Sequence, residues 1–132
     1  MKSKIFISYS HKDVAYAELL SSLLKERGYE TWIETDAIAA GDSWEKEISK
    51  AIDDSDLFIS LITDDYLHSG YSLVELGAAY GSGKKIIPIL LSGDMNEIPV
   101  RVKKFQIIDA QKLDKDSLLN LIEQQTKEGK AA

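Results

Sequence analysis

A chain of 132 residues suits one domain, because a single core of this size buries most of its apolar surface without a second unit. The net charge of −6 opposes binding to nucleic acid or to an anionic membrane, both of which need a basic patch, so small-molecule or protein partners are expected. The absence of cysteine excludes disulfides, thiol catalysis and cysteine metal sites, and two histidines make a poor metal set, so no metal is expected.

No apolar run approaches the roughly 20 residues that cross a bilayer, and the apolar stretch near the start is too short for a signal peptide, so no membrane partner and a cytoplasmic location are expected. In chain order, Lys4 to Tyr9 (KIFISY) is a short apolar run that predicts a strand. Ser10, with Asp13 three residues later, has capping-box chemistry and opens a helix whose face is Tyr16, Leu20, Leu23 and Leu24, with Gly28 as its left-handed stop. Tyr29 to Ile33 reads as a second strand. A polar stretch follows from Glu34 to Asp42, and Asp42 with Glu45 is placed to cap a helix whose stripe is Trp44, Ile48, Ala51 and Ile52.

Leu57 to Ile62 (LFISLI) is almost wholly apolar, as a central strand covered on both faces should be, and Thr63, Asp64 and Asp65 end it. Tyr71 to Tyr80 suits a helix rich in small residues, which Gly81 and Gly83 can stop. Lys85 to Leu91 reads as a strand despite Pro88, which removes a ladder donor. Phe105 to Ile108 predicts a short fifth strand, Leu118, Leu121, Ile122 and Gln125 mark a last helix, and Ile98 to Lys104 is ambiguous. The last seven residues, TKEGKAA, read as an unpacked polar tail, so the domain is assigned to residues 1–125 and residues 126–132 to a tail that could lead to a further domain.

Strands alternating with helices call for a parallel sheet, because parallel neighbours need crossover connections that are usually helical. The expected fold class is α/β, a three-layer flavodoxin-like arrangement around a five-stranded parallel sheet. Ligands in such sheets bind at the carboxyl ends of the strands, where strand order reverses. The first strand ends at Ser8, Tyr9, Ser10 and His11, the second at Glu34, Thr35 and Asp36, the third at Thr63, Asp64 and Asp65. The helix after the third strand starts at the same edge and carries Glu75, the only charged residue between Asp65 and Lys84, flanked by Leu73, Val74, Leu76, Ala78 and Ala79. Two readings are open: an acid satisfied by a backbone amide or by Lys84 or Lys85, and a site acid tuned by desolvation in a cleft.

The runs FISYSHKD, WIETDAIAAGDSWEKEISKAI and SDLFISLITDDYLHSGYSLVELGAAYGSGKKIIPI, in this order, resemble the TIR (Toll/interleukin-1 receptor homology) family from Lys4 to about Leu91. The resemblance is to prokaryotic, NAD-cleaving members. It implies that Glu75 matches the catalytic acid of a Trp-x-x-x-Glu-Leu pattern, with Tyr71 and Ser72 where the family often has Trp-Cys. It also implies that NAD+ is a substrate rather than a cofactor, that Tyr9, Ser10 and His11 contact it, and that Trp44 and Tyr71 line its pocket. Asp36 and Gly41 fall in the loop that covers the pocket and mediates self-association in the family.

Bland readings stand beside several of these. Trp44 shares a face with Ile48 and Ile52 and can be core, Ser10 can be a cap, His11 a solvated loop residue, and Gly41 a turn residue. Asp64 and Asp65 read as strand-end caps rather than Mg2+ ligands, and GSGKK follows a helix and lacks a phosphate-loop pattern. A phosphate-accepting receiver domain shares the fold but needs an acidic pair where Ser8, Tyr9 and Ser10 stand. A dinucleotide module needs a glycine loop that is absent. The implied activity is an NAD+ glycohydrolase or cyclase that releases nicotinamide, an effector of antiphage defence activated by self-association into a homo-oligomer, with an appended sensor domain. The alternative is a non-catalytic TIR adaptor that signals by assembly.

Overall fold

The computed structural model describes residues 3–33, 44–68, 70–100 and 102–131. Five strands, β1 (Lys4–Ser8), β2 (Glu30–Trp32), β3 (Leu57–Ile62), β4 (Lys85–Leu90) and β5 (Ile108–Asp109), form one parallel sheet in the order β2-β1-β3-β4-β5. Helices α1 (Val14–Glu26) and α5 (Lys115–Ala131) pack on one face; α2 (Trp44–Asp54), the short α3 (Asp64–Leu67) and α4 (Gly70–Gly81) pack on the other. The three-layer α/β plan expected from the sequence is therefore present.

Side chains alternate across each strand, so odd and even positions feed different layers. Ile5, Ile7 and Tyr9 join Leu20, Leu24, Leu118 and Ile122 in the layer beneath α1 and α5. Phe6, Phe58 and Ile62 join Ile48, Ile52, Tyr66 and Leu76 in the layer beneath α2 to α4. Every residue of β3 is buried, as its apolar run on both parities requires. Across the second layer Phe6 stacks on Trp32 at 4.9 Å and on Phe58 at 5.2 Å between ring centroids. Each such pair contributes about 1 kcal/mol beyond its burial.

Helix α1 ends as Gly28 requires. Gly28 has φ +94°, its N–H reaches the Lys25 carbonyl, and the next N–H, of Tyr29, reaches back to Leu24, which closes a Schellman motif. At the end of α4 the same job falls to Gly83 (φ +71°), while Gly81 remains the last helical residue.

Three expectations need correction. Ser10 makes no side-chain cap: residues His11–Asp13 form a 3-10 turn, and the Asp13 carboxylate is drawn instead to the Thr63 hydroxyl at 2.7 Å. The fifth strand is Ile108–Asp109 rather than Phe105 to Ile108, because a 3-10 turn at Val102–Lys104 closes onto Phe105 and pairing with β4 begins only at Ile89↔Ile108. Helix α5 continues to Ala131, so the boundary drawn at 125 lies inside a helix, and Thr126 is buried beside the Tyr29 hydroxyl. From the ambiguous stretch, Ile98 and Val102 join the second layer. The proposed Asp42–Glu45 cap lies outside the described residues.

Candidate active site

Strand order reverses between β1 and β3, and the crevice this makes at their carboxyl ends is where an open α/β sheet receives ligands. The inner face of the sheet changes character there. Two residues beyond the aromatic row of Trp32, Phe6 and Phe58, the same face presents Ser8, Ser60 and Pro88, register neighbours across β1, β3 and β4. Small side chains lower the floor. Tyr66 from α3 and Glu75 from α4 reach Ser8 in this step.

Glu75 is 3% exposed, among the most buried polar residues described. Its Oε1 accepts a 2.9 Å hydrogen bond from the Ser8 hydroxyl, and Ser8 Oγ lies 2.9 Å from the Tyr66 hydroxyl. An ionised carboxylate accepts only, so the single Ser8 proton points to Glu75 and the Tyr66 hydroxyl donates to Ser8. Burial pushes the Tyr66 phenol well above its ordinary pKa; the Ser60 and Ser8 hydroxyls oppose that shift and the Glu75 charge adds to it. Ser60 Oγ is close enough to act on the phenol in this way but lies outside hydrogen-bond geometry and has no partner of its own.

The loops at this edge are tied together from the β3 side. Thr63 caps α3 by accepting from the Tyr66 N–H at 3.1 Å, and its hydroxyl donates to Asp13 in the turn after β1. Asp65 pairs with Lys12 at 3.4 Å on the surface. The cap is thus Thr63 rather than Asp64 or Asp65, which stand in the first turn of α3, and among the described residues no group of three or more histidine and acidic side chains is placed to hold a metal.

Several sequence candidates lie on elements that begin or end at this edge. Ser10 is buried and extended, at the end of β1, and His11 is exposed beside it. Trp44 and Tyr71 occupy the first turns of α2 and α4, which start at the carboxyl edge, and Tyr71 stands one turn before Glu75. Tyr9 follows the other parity and packs in the layer beneath α1 and α5, on the far face of the sheet from Glu75. Asp36 and Gly41 lie outside the described residues. Lys84 and Lys85, the ion-pair partners one reading gave to Glu75, bond instead to the backbone carbonyls of Asp53 and Gln125, both at 2.7 Å.

Sequence reasoning missed Ser8 as a partner of Glu75, and Tyr66 altogether. The available signal was parity: a hydroxyl in an apolar strand, in phase with Phe6, faces the core rather than water. A cleft of about 250 Å³ opens at the other end of the sheet, lined by Lys4, Glu30, Trp32, Lys50 and Asp54. Lys4, Glu30, Lys50 and Asp54 are exposed there, and its one buried hydroxyl, Ser55, already donates to the Ala51 carbonyl, so the weight rests on the Glu75 crevice. No described helix is long and apolar enough to cross a membrane.

Comparison with known proteins bears on the family and the fold. The chain is 28% identical over 90 residues to the probable 2' cyclic ADP-D-ribose synthase TcpO of Methanobrevibacter olleyae, a match covering 65% of this chain and 26% of that protein. The chain thus spans about a quarter of that relative's length. The TIR domain of the Toll-related receptor TRR-2 from Hydra magnipapillata superposes with a TM-score of 0.76 at 21% identity, over 94% of this chain and 95% of that one. The CMP N-glycosidase BcmB of Clostridium botulinum gives 0.61 at 23% identity, over 80% and 87%. At these identities the two structures speak to the fold alone. The TIR domain family model matches residues 5–122, and the chain belongs to that family.

Proposed function

We propose that this domain cleaves the bond between nicotinamide and ribose in NAD+, with Glu75 as the catalytic carboxylate. The observation that carries the reading is a buried carboxylate at the strand-order reversal, bonded to a serine hydroxyl of the first strand. Burying a carboxylate costs several kcal/mol unless it is compensated, and a fold that needed only packing there could use an apolar residue. The TcpO relative, itself named for cyclic ADP-ribose synthesis, supports the same class of reaction.

The chemistry asks little more of the protein. Scission passes through a transition state resembling an oxocarbenium ion, and nicotinamide leaves as a neutral group, so no general acid is needed on it. A carboxylate beside the ribose holds its hydroxyls and stabilises the developing positive charge. Water then adds to the anomeric carbon to give ADP-ribose, or a nucleophile of the same molecule closes a cyclic ADP-ribose; either route releases nicotinamide and one proton. In this reading Trp44 and Tyr71 wall the pocket, Ser10, His11, Asp36 and Gly41 contact the substrate, and Tyr9 anchors the first loop from the far layer. Activation by self-association, an appended sensor domain and a place in prokaryotic antiphage defence, in the cytoplasm, belong to the reading through the family resemblance.

One digest tests it. The purified domain, incubated with NAD+ over a range of protein concentrations, should release nicotinamide, with a rate that climbs faster than linearly as the domain associates. Accompanying ADP-ribose identifies a hydrolase and a cyclic product a cyclase. NAD+ left intact through a long incubation at high protein concentration makes the domain an adaptor and overturns the assignment.

A further inference from the structure

Resting on the NAD-cleaving reading, we propose that Ser8 is a positioning residue: its hydroxyl, oriented by Tyr66, fixes the rotamer of the Glu75 carboxylate that faces the ribose. A glutamate side chain has three soft torsions, and a carboxylate that wanders by 1 Å loses much of its transition-state stabilisation. The two ends of the tether differ in stiffness. Ser8 is 1% exposed and sits in register opposite Ser60, so its Cβ is as fixed as the sheet itself. Glu75 lies on α4, whose packing against the sheet does not by itself set where the carboxylate ends.

A lone serine would be a poor tether, because its proton rotates freely. Here the Tyr66 hydroxyl, 2.9 Å away, occupies one acceptor position of Ser8 and turns its proton toward Glu75. Tyr66 is itself well held: its ring is fully buried and its backbone N–H is bonded to Thr63. Its phenol stays protonated at neutral pH, so it remains a donor and the chain runs one way, from Tyr66 through Ser8 to Glu75. Ser8 is not arranged as a nucleophile, since its hydroxyl partners are a carboxylate and a phenol and it is closed off from solvent.

The test compares steady-state nicotinamide release by the wild type, Ser8→Ala, Ser8→Thr and Tyr66→Phe at one protein concentration, with a thermal melt of each. A hydrogen bond to a charged group supports a drop in kcat of about 10- to 100-fold for Ser8→Ala, with KM within about twofold of the wild type. Ser8→Thr keeps the hydroxyl and should restore most of the rate. Tyr66→Phe should lose less than Ser8→Ala, because the Ser8–Glu75 bond survives without its guide.

Wild-type kcat in Ser8→Ala, a loss confined to KM, or a folded Ser8→Thr as slow as Ser8→Ala would each overturn the role. If Ser8→Ala shows no cooperative melt, Tyr66→Phe decides, and wild-type kcat in the folded phenylalanine variant sinks the proposal. A wild type that leaves NAD+ intact removes the NAD-cleaving reading and this inference together. An active wild type with an unaffected Ser8→Ala removes this inference alone.

Discussion

The two ends of the sheet treat polar residues in opposite ways. Where the strands enter, Lys4 pairs with Glu30 at 3.7 Å with both side chains more than half exposed, and its N–H bonds to Asp56 at 2.9 Å on the surface. Where they leave, Ser8, Ser60, Thr63 and Glu75 are all buried; Ser8 bonds to Glu75 and Tyr66, and Thr63 donates to Asp13. The entering end lets water do the solvation, whereas the leaving end must do it with protein groups. Exposed pairs of this kind contribute little to stability, but a buried donor or acceptor stripped of its partner costs about 1–3 kcal/mol. The leaving end is therefore where a substitution is felt and where the fold carries polarity its packing does not need.

Tyr66→Phe breaks the comparison at its sensitive end. It removes the buried hydrogen bond to Ser8 and keeps the ring, so it should lower stability by about 1 kcal/mol at neutral pH in a denaturant titration. Its pH dependence sharpens the point. The folded Tyr66 pKa is raised, so the native state holds this proton after the unfolded chain has released it; the wild-type advantage is complete below about pH 10 and falls as pH rises further. The gap between wild type and Tyr66→Phe should narrow above that value; a gap that widens there would contradict the buried, neutral phenol.

At the entering end the expected effect is smaller. Lys4→Ala removes the exposed pair with Glu30 and should change stability by no more than about 0.5 kcal/mol, and less in high salt. A loss of about 2 kcal/mol from Lys4→Ala would show that the contrast between the two ends is drawn wrongly.

What was legible in the sequence was mostly local or periodic. The apolar run of β3 and the stop at Gly28 depend on neighbours a few residues away, and both stand as read. The cap at Ser10 looked equally local, yet Asp13 found its partner at Thr63, fifty residues on, and tertiary competition emptied the capping box. The fifth strand shifted because an edge strand of two residues is placed by its neighbour more than by its own propensity. Glu75 was visible as a lone charge in apolar company. Its partners were not, because only the strand order β2-β1-β3 brings Ser8 beneath α4 and places Tyr66 next to both.

The central claim is that the carboxylate of Glu75 does the chemistry rather than completing a buried network. Glu75→Gln keeps the size and an acceptor for Ser8 but removes the charge, so it separates the two directly. Nicotinamide release from NAD+ by wild type and Glu75→Gln, at matched concentration and with thermal melts in parallel, is the measurement. The account predicts a folded variant slowed by about 1,000-fold or more, the scale on which a preorganised electrostatic group acts in a dry site. A folded Glu75→Gln that releases nicotinamide at the wild-type rate would contradict it.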